Sequence, residues 1–489
     1  MDPAINPGTT TRPAGTAGTP PGVPDDQLKG SLGATGITAM VVAAAAPLTV
    51  MTGIAPLAIA IGGIGAPAGY LAALVVLAIF AVGFTTMTRV TGGAGAFYSY
   101  ITLGLGRSVG AAAGLVAVMS YNALQVGLYG LLGLQFQATV ARLTGLTLPW
   151  WLYAFGAIAV VWALGRRGID VGARLLGVLL AAETLVLAVL VVAIVVRGGA
   201  NGLSLTTFSP EALRDPGLIG ILGFCFAAFA GFESTALYRR EARHPERSIP
   251  RATFGAVAFL GLFYALVVWA VVQALGDTEA RAAAGADPVT LFTSVMDRYA
   301  GAWATDVMAV LVLTSVLAAQ IAFHNAINRY SFTLARDGLL PAALAHAHPR
   351  FASPARAGAA QSVLALVVVA GAALIGADPY LQLVIYVNTP GAIGIMALQT
   401  LTSVAVVVHL RRRPDVSALV KWISVLAAVL LTAATGLMVR HVGVLTGAPT
   451  GTNAVLVAIV PAALLLGVVL AQLLRARRPD LYARIGGES

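Results

Sequence analysis

Two carboxylates stand inside long apolar stretches of this chain, where ionisable side chains are rare. Glu183 lies in the run VLLAAETLVL (178–187), and Glu233 lies in GFES (231–234). Ionisable residues within membrane-spanning segments commonly belong to proton or ion pathways. We therefore predict coupling or gating roles for Glu183 and Glu233. The alternative is that each carboxylate only accepts structural hydrogen bonds.

Two apolar segments are interrupted near their middle by glycine and proline. The first interruption is APLTVMTGIAP (46–56), with its centre at Thr52-Gly53-Ile54, and the second is FAGFE (229–233). A helix broken at bilayer depth leaves backbone groups unpaired, which is tolerated only where they face protein or a water-filled cavity. A zwitterion fits between two such breaks, because helix N-termini attract carboxylates and helix C-termini offer carbonyls to an ammonium.

Other apolar segments carry polar side chains. Asn122, Gln125 and Tyr129 follow the spacing i, i+3, i+7 and so share one helix face. That face either recognises a ligand or joins helices. Asn388 stands beside Thr389-Pro390, where a polar kink predicts a gate, with simple repair of a proline kink as the alternative.

The composition is that of a membrane protein. Hydrophobic residues occupy 58% of the 489 positions and charged residues only 10%, whereas soluble domains carry about 25% charged residues. Twelve apolar runs are long enough for a bilayer, which takes about 20 residues each. We predict spans at 34–62, 68–88, 108–137, 148–165, 172–196, 217–238, 252–275, 303–333, 358–377, 380–409, 418–439 and 453–474.

The positive charges behind the net charge of +10 are distributed unequally between the two sides of the membrane. With the first residues inside, 24 of the 30 Lys and Arg fall in inner segments and six fall outside. This bias predicts that both termini are cytoplasmic and that the chain lies in a plasma membrane, and it argues against a nucleic-acid partner. Cys225 is the single cysteine, so no intrachain disulfide or cysteine metal site is expected.

The two interrupted segments are the first and sixth spans, at matching positions of two five-helix halves. Such matching predicts an inverted repeat with a site between the halves. The fold class predicted is an all-α membrane protein with 12 transmembrane helices, a 5+5 inverted repeat plus two peripheral helices. The predicted units are a disordered cytoplasmic tail (1–30), two repeats (31–200 and 215–410), two last helices (415–475) and a cytoplasmic tail (476–489).

Four motifs, in order, resemble those of the amino acid–polyamine–organocation superfamily. They are TGI (52–54), GGAGAFY (92–98), GFES (231–234) followed by PERSIPRA (245–252), and NR (328–329) followed by ARDGLLP (335–341). The resemblance covers about 31–475. It implies the five-plus-five fold of the LeuT-like transporters and a small-molecule amino acid or amine substrate.

The resemblance also implies roles for particular residues. Main-chain amides at the first break would hold a substrate carboxylate, and carbonyls at the sixth-span break would hold the ammonium. These roles fall on Met51, Thr52, Gly53, Ile54, Phe226, Ala227, Phe229, Ala230 and Gly231. Ala227 departs from a related antiporter, which has an aromatic gate side chain at that position.

A secondary active transporter is therefore expected, with neutral or apolar amino acids favoured and a proton as the coupling ion. Exchange and sodium symport are alternatives, and Thr314 and Ser315 are the candidate sodium ligands, although hydroxyls on helices more often bond to their own backbone. A membrane sensor is a more distant alternative. No enzyme motif, cofactor or metal is expected, and the predicted partners are membrane lipid and, at most, a second copy in a homodimer.

Overall fold

The computed structural model describes residues 32–91, 97–167, 173–351 and 353–486. The predicted tail (1–30) and residues 92–96 of the glycine-rich motif lie outside these ranges. The α-helices in chain order are α1 (Ala34–Ala45), α2 (Pro47–Gly53), α3 (Ala55–Gly62), α4 (Ala66–Thr91), α5 (Phe97–Leu105), α6 (Arg107–Thr144), α7 (Trp150–Arg166), α8 (Ala173–Arg197), α9 (Pro210–Leu213), α10 (Pro216–Ala227), α11 (Pro245–Leu275), α12 (Ala280–Ala286), α13 (Leu291–Ala300), α14 (Ala302–Arg336), α15 (Ala355–Leu374), α16 (Asn388–Arg411), α17 (Ala418–Arg440), α18 (Val442–Thr446), α19 (Thr450–Arg477) and α20 (Pro479–Arg484).

Shorter helical turns of other types complete the chain. They are the 3₁₀ segments Gly63–Gly65, Thr206–Phe208, Phe232–Arg240 and Ala342–Ala345, and the π-helix Pro379–Val387 that leads into α16. The described residues also contain one isolated backbone bridge, between Leu32 and Ala242.

Eleven helical segments in the described ranges are long and apolar enough to cross a membrane. The apolar helix α7 is shorter, with 17 residues, and corresponds to the fourth predicted span. The prediction of an all-α membrane protein is therefore confirmed. The inverted relation between the two halves stays a prediction.

The first span is broken at the start of the predicted interruption (46–56), before the Thr52-Gly53-Ile54 motif. α1 ends at Ala45, and Ala46 has φ +49, the only positive φ of a non-glycine residue in the described chain. Pro47 begins α2 and cannot continue α1, because proline lacks an N–H and clashes with the preceding turn. Thr52 and Gly53 lie inside α2, and the distortion at Ile54 is milder, since the Ile54 N–H still donates to the Val50 carbonyl at 2.9 Å.

The sixth span is interrupted where the sequence predicts. α10 ends at Ala227, and the chain turns through Gly231, whose φ of +108 favours glycine, before the 3₁₀ segment Phe232–Arg240 begins. α10 packs on α3, α4 and α16, so the second break lies against elements that also border the first.

The long helices pack on one another around these breaks. α4 packs on α11, α10 and α17, and α6 packs on α14, α16 and α19. The last two spans are the most exposed, with 28% of the α17 window and 17% of the α19 window buried. This exposure agrees with the prediction that both are peripheral.

Candidate functional site

At the first break, a carboxylate from a different helix accepts a backbone hydrogen bond. The Leu48 N–H, in the first turn of α2, donates to Glu183 Oε2 at 3.3 Å, and both groups are buried. The first turn of a helix has N–H groups without intrahelical partners and carries partial positive charge. Glu183 of α8 therefore occupies the anion site that the break creates.

Ser315 of α14 completes this end of α2. The Thr49 N–H donates to Ser315 Oγ at 3.3 Å, and the Thr49 hydroxyl donates to the same oxygen at 2.9 Å. The Ser315 hydroxyl also interacts with the Glu183 side chain. One short chain of polar contacts thus joins α2, α8 and α14.

The two candidate sodium ligands are used differently. The Thr314 hydroxyl donates to the Leu311 carbonyl of its own helix at 2.9 Å, whereas Ser315 contacts α2. In this conformation the two hydroxyls do not meet at one point. Their sodium role stays a prediction.

The second break is also closed by a carboxylate. Glu233 Oε2 accepts the Gly231 N–H at 2.9 Å, and its Oε1 accepts the Tyr121 hydroxyl at 2.7 Å. Tyr121 belongs to α6, and its ring packs against Phe323 and Tyr330 of α14 at centroid distances of 6.1 and 5.7 Å. Glu233 therefore caps its own break and ties it to α6.

A cavity of about 20 Å³ lies between the α2–α3 junction and the end of α10. Its lining residues come from α2 and α3, α6, α10, the π-helix and α16, and they are Gly53, Ile54, Leu57, Leu124, Phe224, Ala227, Val384, Asn388 and Ala392. A cavity of this size holds about one water molecule. The conformation is therefore closed around its candidate site, and a larger ligand needs the helices to separate.

The cavity brings together four residues that the sequence singled out: Gly53, Ile54, Ala227 and Asn388. Asn388 is the only polar side chain among the described residues that line it. It is buried, and its Oδ1 has no hydrogen-bond partner in the described part of the chain. A buried amide oxygen without a partner is costly, so Asn388 is a candidate for a ligand contact.

The remaining substrate candidates lie near the cavity but outside its lining. Met51, Thr52, Phe226 and Phe229 are buried in the core around the breaks, and Phe229 packs on Tyr264 at a centroid distance of 6.1 Å. Ala230 and Gly231 lie in the turn between α10 and Glu233. Tyr129 is also fully buried.

The polar face predicted on α6 serves packing in this structure. The Gln125 side chain donates to the Gln320 carbonyl at 3.1 Å, and the Gln320 side chain donates back to the Gln125 carbonyl at 3.1 Å. Gln125 Oε1 accepts from Gln361 of α15. Asn122 donates to the Val118 carbonyl of its own helix at 2.8 Å. Gln125 thus follows the helix-joining alternative, and neither residue lines the cavity.

Sequence reasoning missed several residues of the site. Leu48 and Thr49 are missed because the break is displaced to Ala46, and Tyr380 is missed although its hydroxyl donates to the Gly53 carbonyl at 3.0 Å. The apolar lining was findable in part. Ala392 is four residues after Asn388 in α16, so the two share a helix face.

Two interrupted helices beside one cavity are typical of secondary transporters, which bind their substrates at such interruptions. The family comparison is specific. A family model described as amino acid permease matches residues 32–470, and the chain belongs to this family. The resemblance noted from the motifs is confirmed, and the family is one of transporters and not of enzymes.

Individual relatives cover parts of the chain. An uncharacterized transporter of Mycobacterium tuberculosis is 35% identical over 41% of this chain and 45% of its own length. The low-affinity putrescine importer of Escherichia coli is 26% identical over 59% of this chain and 63% of its own length. The branched-chain amino acid permease of Bacillus subtilis is 27% identical over 41% of this chain and 40% of its own length. The chain thus matches about half of the length of these relatives.

Proposed function

We propose that this protein is a secondary transporter of amino acids that prefers neutral or apolar side chains and works by alternating access. The observation that carries the proposal is the cavity between the α2–α3 junction and the end of α10. Its side chains are apolar except for the neutral amide of Asn388. A cationic side chain in such a lining would lack a counter-ion, and burial of an unpaired charge is costly.

Substrate binding requires the junction of α2 and α3 to open. The Ile54 N–H is satisfied by Val50 in the closed conformation, so a substrate carboxylate must replace the Val50 carbonyl as its partner. The carbonyls at the end of α10, next to Ala227, are placed to accept the substrate ammonium. Opening at both breaks would also widen the cavity beyond the volume of one water molecule.

Glu183 supplies the coupling step. α2 has only seven residues and is about 10 Å long at 1.5 Å per residue, so its two ends move together. An ionised Glu183 holds the Leu48 end by charge attraction to the helix terminus. A proton on Glu183 removes that charge and loosens α2, which frees the Gly53 end at the cavity to rearrange.

Amines are the second substrate class, and a particular comparison favours them. The putrescine importer shares the longest stretch of this chain among the relatives named above. A diamine has no carboxylate for the first break, and it would need a second anionic partner. Glu183 and Glu233 are the buried carboxylates near the breaks that would have to provide it.

Uptake into proteoliposomes tests the proposal. The purified protein is reconstituted and offered radiolabelled leucine, alanine, lysine and putrescine under an imposed proton gradient, sodium gradient or no gradient. We expect accumulation of leucine or alanine that depends on an inward proton gradient. A requirement for sodium would replace the proton as coupling ion, uptake only with internal substrate would indicate exchange, and putrescine uptake without leucine uptake would refute the preference for neutral amino acids.

A further inference from the structure

The segment after α19 folds back onto the ends of two other helices. α20 leads into Ile485 and Gly486, and Ile485 is only 1% exposed. Its side chain belongs to a small apolar cluster, separate from the main core, which contains Tyr98, Ala111, Leu115, Leu334, Leu339, Ala471 and Ile485. The segment 479–486, which we call the latch, therefore buries its last apolar side chain between α5, α6 and α14.

Tyr98 is the centre of the docking site. Its hydroxyl donates to Asp337 Oδ2, just past the end of α14, and accepts the Gly486 N–H at 2.9 Å. Burial and the neighbouring Asp337 carboxylate raise the pKa of Tyr98, so the phenol keeps its proton and acts as the donor. The same hydroxyl thus holds α5, the end of α14 and the latch together.

Further contacts fix the latch along its length. The Tyr482 hydroxyl lies 3.2 Å from Ser108 Oγ at the start of α6. The guanidinium groups of Arg107 and Arg475 each lie 6.0 Å from the centre of the Tyr482 ring. A Cβ atom at Gly486 would lie 2.4 Å from Thr102, so the chain approaches α5 closely at that point.

The docking site ties α5, which packs on α6 and α16, to the end of α14. α5 is also bonded to α4, because the Tyr100 hydroxyl donates to Thr88 at 2.7 Å. α4 packs on α10, which carries the second break, whereas α14 carries Ser315 and packs on α6. A restraint between α5 and the end of α14 therefore limits the movement of α4 relative to α14.

We propose that the latch is an autoinhibitory device that restrains opening at the second break while it is docked on Tyr98 and Asp337. Undocking would leave the direct Tyr98–Asp337 bond as the remaining side-chain tie described here between α5 and the end of α14, and this weaker restraint would raise the rate at which the site opens beside Glu233. The proposal rests on the alternating access proposed above, and both of its tests are conformational and need no transported substrate.

The first experiment measures docking. Ile485→Cys and Ala483→Cys are labelled with a maleimide on the purified full-length protein; Ala483 is exposed, and the native Cys225 is buried. We expect Ala483→Cys to react fast and Ile485→Cys slowly. Adding Tyr98→Phe removes two hydrogen bonds and should speed the labelling of Ile485→Cys about tenfold. Equal rates for the two cysteines in the parent protein would refute the docking.

The second experiment measures restraint at the break. Ser234→Cys, one residue beyond Glu233, is labelled in the parent protein, in Tyr98→Phe and in a variant that ends at Arg478. We expect both changes to speed this labelling severalfold, whereas Tyr153→Phe, whose buried hydroxyl has no partner in the described chain, should leave it unchanged. Unchanged labelling in the variant that ends at Arg478 would overturn the proposal, because Tyr98→Phe also removes the direct bond to Asp337. If the labelling rates change as expected but the protein takes up no substrate, the result would instead count against the proposed transport function.

Discussion

The Glu183 carboxylate accepts the N–H of Leu48, so the broken end of α2 is closed by a side chain of α8. The second break differs, because Glu233 accepts the N–H of Gly231, only two residues away in the same span. Glu183 can therefore release one helix from another. Glu233 shapes its own turn and reaches α6 only through Tyr121. From this contrast we propose coupling for Glu183 and gating for the contact between Glu233 and Tyr121.

Neutralising Glu183 tests the coupling role. Glu183→Gln keeps the size and the hydrogen-bond acceptor but removes the charge that holds the α2 end. We expect proton-driven accumulation to be lost and exchange of internal for external substrate to continue. The neutral side chain at position 183 then acts on α2 as a permanently protonated Glu183 would. Proteoliposome uptake with and without a proton gradient, compared with counterflow, measures both activities.

The matched control is Glu279→Gln, since Glu279 is an exposed glutamate away from the breaks. It should retain both activities. If Glu183→Gln still accumulates substrate against its gradient, another group carries the coupling proton.

Removing the hydroxyl of Tyr121 tests the gate. Tyr121→Phe leaves Glu233 Oε1 without its 2.7 Å donor, and loss of a hydrogen bond to a buried charged group costs about 1.5–3 kcal/mol. We expect a lower melting temperature and faster maleimide labelling of Ser234→Cys. Tyr153→Phe is the control, because the Tyr153 hydroxyl has no partner in the described ranges. A similar loss of stability in both variants would show that the Tyr121 contact has no special role.

The sequence was sufficient for the class of fold and for the identity of the two carboxylates. Long apolar runs impose helices in a membrane, because backbone groups must be satisfied within each segment. Glu183 and Glu233 are identifiable because burial of charge is expensive and so marks them out. The break in the sixth span was also placed well, since Gly231 supplies the positive φ that the turn requires.

The position of the first break could not be read from glycine alone. Gly53 suggested the centre of the break, but Pro47 ends α1, and Ala46 before it lies in the left-handed region. The sequence likewise did not decide whether Gln125 binds a ligand or joins helices. Its partners Gln320 and Gln361 are about 200 residues or more away in the chain. Side-chain pairing between distant helices depends on their packing, which a single sequence does not specify.

A charge at Asn388 tests the substrate preference. Asn388→Asp places an anion at the one polar position of the cavity lining, so a cationic substrate gains a partner that the neutral amide does not provide. We expect uptake of lysine or putrescine relative to leucine to rise about tenfold. Competition of unlabelled substrates against labelled leucine measures the ratio. The control Asn201→Asp, at an exposed position, should leave this ratio unchanged. If Asn388→Asp also leaves the ratio unchanged, the substrate side chain lies elsewhere.

Enlarging Gly53 tests whether the α2–α3 junction forms part of the site. A Cβ atom at Gly53 would lie 2.2 Å from Leu131 Cδ2, so Gly53→Val must displace the Leu131 side chain of α6. Overpacking of this kind costs about 1–3 kcal/mol. We expect Gly53→Val to abolish ligand-induced thermal stabilisation, with the ligand taken from the uptake panel.

A second substitution separates crowding from a direct role of the Gly53 backbone. Leu131→Ala removes the atoms that the new side chain meets, and neighbouring substitutions of this kind are not additive. If Gly53→Val acts only by crowding α6, the double variant should fold more stably than the single one and regain part of its ligand binding. Gly156→Val is the control, because a Cβ atom at Gly156 has open space around it. Wild-type affinity in Gly53→Val alone would show that the junction lies outside the site, since ligand binding would then tolerate a displaced Leu131 and a filled cavity wall.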